Sequence, residues 1–409
     1  MEEVPVRSLL RMIGTLVVAL LVTSPAAALT LSGELPRAAQ LVGIQGGTAF
    51  DALANAIADT AARNIPVLSA SAGFTYRYDP GLEAFVRTSE TLGPLFLERP
   101  DTIGRGKFNI NVSYQYVELN EIDGVGTNAL QSPDQIVLAH TDASGAPLPA
   151  TANTLRYSFK LINNVEALSF TYGVLDNLDV NLLVPLIETN FDVTAYNTQQ
   201  AVKSGGTFVP APLPVQTGTV RGNNVGIGDI LLRGKYQLPR WGVLRSAAGL
   251  QLRLPSGDED NLQGTGSFEA SPAVYVSALF WGRVEPHWNA AIDLKADDVS
   301  QSQARYGAGV DVDVTRRINI ALALLGRSEF ARSSPAGATS FLHRTPTGVA
   351  PEPLLGIDFN RKDYFDFSFG ARAVGWRQVM LFVNGIYAIN DSGLRNDSII
   401  PTIGFEGTF

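Results

Sequence analysis

The sequence predicts an all-β fold: a transmembrane up-and-down antiparallel β-barrel of about 12 strands with a short N-terminal helix. Three observations carry that expectation. From about Gly106 onward, apolar and polar residues alternate with the two-residue period of a half-buried strand. The connections between these segments are short and long by strict turns, the layout of a barrel with tight periplasmic turns and longer outer loops. Beyond residue 28, no apolar run reaches the roughly 18 residues that a spanning helix needs.

Composition narrows the function classes. The 409 residues include 31 Lys+Arg and 39 Asp+Glu, for a net charge of −8, and charged residues are 17% of the chain, against roughly 25% in an average soluble protein. At 45% hydrophobic the chain is too apolar to be disordered, and an acidic chain with no basic run does not suit nucleic acid. With zero Cys there is no disulfide scaffold, thiolate metal site or thiol nucleophile.

Residues 1–28 have the organisation of a secretory signal: Arg7 and Arg11, the short apolar run Met12–Val22, a break at Ser24-Pro25, and Ala26-Ala27-Ala28 as the cleavage site. Residues 29–105 form an N-terminal segment that either sits in the periplasm or plugs a pore. Within it, 48–64 predicts a helix, because Phe50, Leu53, Ala54, Ile57 and Ala61 fall at helical spacing behind Thr48 and ahead of Pro66. Residues 106–409 are the barrel. Its strands are expected near 106–119, 154–175, 178–195, 226–238, 243–255, 268–281, 284–296, 304–314, 318–328, 361–373, 378–390 and 398–409.

Two places in that scheme need an assumption. In 154–175 the apolar set moves from odd positions (Leu155, Tyr157, Phe159, Leu161) to even ones (Leu168, Phe170, Tyr172, Val174), so a bulge near Asn163-Asn164 is expected to restore the phase, whereas a hairpin there would change the parity of every preceding strand. Phe74, Tyr76 and Tyr78 also alternate, and a barrel hairpin over 70–87 would give the alternative count of 14 strands. Trp241, Trp281 and Trp376 fall at or beside short turns and, with the terminal Phe409, predict the periplasmic interfacial belt. A closing strand that ends on an aromatic residue also suits recognition by barrel-assembly machinery. The apolar face implies outer-membrane lipid and lipopolysaccharide as surroundings.

The stretches TIGRGKFNINVSYQY (102–116), TYGVLDNLDVNLLVPL (171–186), GIGDILLRGKYQL (226–238) and LRLPSGDEDNLQGTGS (252–267) resemble the outer-membrane transporter family named for the MetA pathway of phenol degradation. Ser256 stands where the family pattern expects Thr. The resemblance implies a bacterial outer-membrane channel for passive uptake of small molecules, aromatic or hydrophobic ones among them, and brings no established set of binding residues. The competing class is a closed structural or adhesive barrel.

If the apolar face meets lipid, the opposite face lines the lumen. It carries Asp229, Arg233, Lys235, Arg245, Arg253, Glu285, His287, Asp293, Lys295, Arg305, Asp311, Asp313, Arg327, Asp366 and Arg372. Such a lining serves either as a selectivity filter or as a network of paired charges that closes the bore. No enzyme is expected. Of the three His, His140 and His343 lie in long loops, and His287 beside Glu285 lacks a nucleophile at a neighbouring position. Leu262 breaks the spacing of a calcium loop after Asp258-Glu259-Asp260, and the Gly-x-Gly runs at 226–228 and 264–266 lack the helix of a nucleotide site. Neither a cofactor nor a metal is expected; the small-molecule partner is a solute.

Overall fold

The computed structural model describes residues 30–44, 57, 60–71, 73, 75–79, 84–87, 92–132, 134–142, 144–331, 340–345, 348–353, 361–375 and 379–409. The signal segment 1–28, most of the helix expected at 48–64, and Trp376 lie outside those residues; of that helix, Ile57 and Thr60–Arg63 are described and are helical.

Twelve antiparallel strands close into one barrel. They are β1 (Phe108–Leu119), β2 (Pro147–Leu175), β3 (Leu178–Ser204), β4 (Gln216–Ile227, continuing after Gly228-Asp229 as Ile230–Gln237), β5 (Leu244–Leu254) and β6 (Glu269–Ala278), followed by β7 (Val284–Lys295), β8 (Gln303–Thr315), β9 (Ile318–Glu329), β10 (Asp363–Val374), β11 (Val379–Ala388) and β12 (Ile399–Thr408). The seam is β12 on β1, from Thr402 opposite Gln115 to Thr408 opposite Asn109. Phe409 extends it, since its backbone exchanges hydrogen bonds of 2.7 and 2.9 Å with Phe108. The strands at 76–79 and 84–87 pair only with each other, so the count is twelve and the fourteen-strand alternative fails.

The alternation works as elementary burial requires. On β5 the outward residues are Leu244, Ala248, Leu250 and Leu254, and the inward ones Arg245, Ala247, Gln251 and Arg253. Leu250, Val274, Trp288, Leu324, Leu381, Ile403 and Phe405 are among many large apolar side chains left exposed around the outside. A continuous apolar belt on a closed barrel is stable against lipid and unstable against water. Trp241 and Trp281, on the short turns, are 87% and 88% exposed, and Phe409 at the same end is exposed too.

The bulge expected at Asn163-Asn164 does not exist. Both residues pair in unbroken register with β1 and β3, and odd-numbered residues of β2 point inward along the strand. What changes is the medium on each side. Near the periplasmic end the outward residues are Leu168, Phe170, Tyr172 and Val174, against lipid; further up they are Arg156, Lys160, Asn164 and Glu166, in water. The inward residues reverse in the same place, from Ser169 and Thr171 to Leu155, Tyr157, Phe159 and Leu161. β3 shows the same step, Leu178 to Leu186 giving way to Glu188, Asn190 and Asp192. β2, β3 and β4 therefore rise well above the membrane. The stretch 197–225, expected to be a loop, is largely strand.

The upper wall is roofed. A hairpin of Ser340–Thr345 and Gly348–Pro353, from the connection between β9 and β10, reaches over the mouth and pairs His343 with Ile136 and Arg344 with Gln135. Arg344 also stacks 5.2 Å over the Phe208 ring beside the tip of β3.

At the periplasmic end, Gly173 is where the incoming chain touches the wall. Its backbone bonds Gly106 and Lys107, and a Cβ there would lie 1.8 Å from the Gly104 carbonyl oxygen. We expect Gly173→Ala to lower stability by about 1–3 kcal/mol through overpacking. Gly234→Ala, with nothing within 4 Å of its added carbon, should be close to neutral. Urea midpoints of the protein folded in micelles compare the two.

Candidate functional site: a filled lumen

The bore is occupied by the chain's own N-terminal segment, in two arms. The outer arm begins with α1 (Glu34–Leu41), a helix absent from the sequence expectation. Its signal was there: Leu31, Leu35, Ala38, Ala39 and Val42 lie on one helical face, and Pro36 sits in the first turn, where a missing N–H costs nothing. These residues join one apolar cluster with Leu155, Tyr157, Phe159 and Leu161 of β2, Phe191 and Val193 of β3, and Val220 of β4. The helix lies so close to β4 that a Cβ on Gly218 would meet Leu41 at 2.5 Å, and one on Gly222 would meet Leu31 at 2.2 Å.

The lower arm, whose described residues are 63–71, 73, 75 and 92–103, is held by polar groups of the wall. Arg63 pairs with Glu269 at 2.7 Å. Lys235 donates to the Ser71 hydroxyl at 3.0 Å and the Arg99 carbonyl at 3.1 Å, and lies 3.7 Å from Glu98. Arg372 donates to the carbonyls of Leu92 and Pro94 at 2.6 and 2.8 Å. Glu406 accepts from the Gly73 amide at 2.6 Å, and Asp179 from the Ile103 amide at 2.9 Å. Burial pushes the Glu98 carboxyl up, but Lys235 and Arg233 with the Ser71 and Ala70 hydrogen bonds outweigh it and hold it below the usual carboxylate range.

The residues proposed as lumen lining fall as follows. Arg245 bridges Asp101 and Glu285. His287 Nε2 lies 2.8 Å from Asp311, with Nδ1 4.0 Å from Glu285. Arg253 lies between Glu269 at 3.1 Å and Asp229 at 3.7 Å. Arg305 pairs with Asp293 at 3.0 Å, Asp366 pairs with Arg395, Asp313 accepts from Asn319 at 2.9 Å, and Lys295 donates to Gln301 at 3.0 Å. Arg233 donates to Gln251 and to the Leu68 carbonyl, and Arg327 to the Arg63 carbonyl while stacking 4.0 Å over Tyr364. The sequence reading omitted Glu269, Glu406 and Asp179, although alternation puts each on the inward face. It could not reach Glu98 and Asp101, which lie in a segment without periodicity.

Asp229 is the pivot of the outer loop 255–268. It accepts from the Thr265 amide and hydroxyl at 2.9 and 2.7 Å and from the Gly257 amide at 3.2 Å. The loop folds inward, with Leu262 buried in the apolar cluster. Gly257 and Gly264 face each other so closely that a Cβ on Gly264 would lie 2.6 Å from Gly257. Between the lower arm and the wall, from β4 round through β12 to the end of β1, remains a cavity of about 210 Å³.

The family model described as "Putative MetA-pathway of phenol degradation" matches residues 142–371. The chain belongs to this family. In this member of the MetA-pathway family the matched region runs from the tall wall into β10 and includes the inward-folded loop 255–268. The apolar belt and closed ladder place the protein in the bacterial outer membrane. Among solved structures, the COG4313 outer membrane channel from Pseudomonas putida F1 aligns at 12% identity over 76% of this chain and 97% of that chain with a TM-score of 0.45. The NanC porin aligns at 8% identity over 73% and 98% of the two chains with a TM-score of 0.37. A Pseudomonas aeruginosa FadL homologue aligns at 10% over 75% and 90% with a TM-score of 0.34. No curated protein matches the chain.

Proposed function

We propose that the protein is a channel for passive uptake of small molecules, aromatic or hydrophobic ones among them, into the periplasm, with residues 30–103 as its plug. The observation that carries this reading is the cavity left inside the lumen, which has both apolar and charged walls. A barrel with no traffic gains nothing from such a void, because unfilled interior forfeits contact energy. On this reading the inward charges of β4 to β10 act as the selectivity lining, Trp241, Trp281 and Phe409 anchor the periplasmic interface, lipopolysaccharide surrounds the outer half, and the C-terminal strand is read by barrel-assembly machinery. The closed-barrel alternative draws on the extent of the plug's apolar core and ion pairs.

Single-channel current of the full mature chain in a planar bilayer, with phenol added to one side, tests the reading. Discrete ohmic steps interrupted by phenol are expected. A silent bilayer, from protein shown to be folded by its heat-modifiable gel mobility, would favour the closed barrel.

A further inference from the structure

The cavity has a charge imbalance that the plug does not remove. Six arginines line it against three carboxylates. Most of those arginines are matched: Arg63 and Arg253 share Glu269, Arg305 holds Asp293, and Arg395 holds Asp366. Two are not. Arg233 and Arg327 make no ion pair among the described residues, and their hydrogen bonds go to backbone carbonyls and side-chain amides. Glu98, which faces the same space, lies 3.7 Å from Lys235 and is attracted by Arg233 as well, but makes no ion-pair contact with either guanidinium. A guanidinium partly withdrawn from water and hydrogen-bonded only to neutral acceptors retains part of its desolvation cost. Arg305 adds to the asymmetry, since it points inward yet 41% of its side chain is accessible, opening into the cavity.

The rest of the surface is apolar. Phe96 from the lower arm, Tyr275 of β6 and Ile386 of β11 stand around the same void. About 210 Å³ exceeds the roughly 150 Å³ of a cavity known to hold benzene, so one ring with one small substituent fits.

We propose that this cavity is a binding station for a small carboxylate with an apolar body, a benzoate-like or short branched-chain acid. Its anionic end would meet the guanidinium of Arg233 or of Arg327, each of which lines the void, and its body the aromatic and aliphatic wall. The proposal rests on the channel reading for the route by which the ligand arrives, and it narrows the solute class from aromatic to acidic. Guanidinium–carboxylate contact is bidentate and charge-assisted, so it distinguishes an acid from a neutral isostere of the same shape.

The test is calorimetric titration of the full mature chain in micelles with benzoate, benzyl alcohol and acetate. Benzoate is expected to bind at least about tenfold more tightly than benzyl alcohol, the scale of a hydrogen bond to a charged group, and more tightly than acetate, which lacks the ring. In Arg233→Gln/Arg327→Gln the advantage of benzoate over benzyl alcohol should disappear, with benzyl alcohol affinity retained. Equal affinities in the unaltered protein, no binding of either ring compound, or a preference that survives both substitutions would overturn the proposal. If the double variant does not fold, the comparison in the unaltered protein still decides. Binding without current would sink the channel reading and leave the site; current without acid preference would do the reverse.

Discussion

Removal of residues 29–103 is expected to raise single-channel conductance several-fold, whereas removal of 29–64 alone should change it little. The reason is the two-tier filling of the bore. The outer arm packs α1 against the upper wall through Leu35, Ala38 and Ala39, but the narrow part within the membrane is occupied by 66–71, 73 and 92–103, tied to Lys235, Arg372, Glu406 and Asp179. Truncation at 64 leaves those ties in place. Truncation at 103 removes the Asp101 and Glu98 carboxylates along with the chain, and the cations they held become water-exposed lining. Gly218→Leu gives an independent handle on the outer arm: its side chain would take the space of Leu41 and Ala38 and lift α1 with no residue removed. Equal conductance of the two truncations would refute the two-tier account.

The second large effect concerns stability. Arg245→Leu is expected to cost about 3–5 kcal/mol, because it takes the arginine from the buried Glu285 and leaves the half-buried Asp101 only the more distant Arg240, at 3.7 Å. Glu285 is 1% exposed and lies 4.0 Å from the His287 ring, so its charge has little water to fall back on. The urea midpoint of folding into micelles measures the loss. Arg245→Leu combined with Glu285→Leu should recover part of it, since the apolar pair no longer strands a charge at that position. A midpoint unchanged in the single variant would show that the lumen is wet enough there to solvate both acids.

Where the chain meets lipid on one side and a polar interior on the other, its architecture was legible residue by residue. β5, β7 and β12 could be read directly, because a two-residue period with an apolar outer face has one physical solution. The reading broke down where the outside is water. On β2, Leu155 and Phe159 looked like the lipid-facing set slipped by one, so a bulge was inferred; they face the plug instead, on a strand whose two surroundings have exchanged polarity. The same reversal hid the upper halves of β3 and β4. The inward charges followed from parity, Glu269 and Glu406 included had parity been applied to every strand. The partners Glu98 and Asp101 did not. They sit on an irregular segment whose course is set by hydrogen bonds to the wall, and no local pattern records such contacts.

The hairpin over the mouth carries a final consequence. Its ties to the facing wall include two ladder positions, an Arg344–Gln135 hydrogen bond and one ring contact, whereas the outer arm beneath it is anchored by an apolar cluster drawn from several strands. Local opening free energies scale with the contacts that must be broken, so the two barriers are graded. The roof is expected to part more readily than the arm below it. A molecule arriving from outside therefore meets an antechamber before it meets a lock, and the time it spends there is set by the hairpin while its chance of crossing is set by the plug.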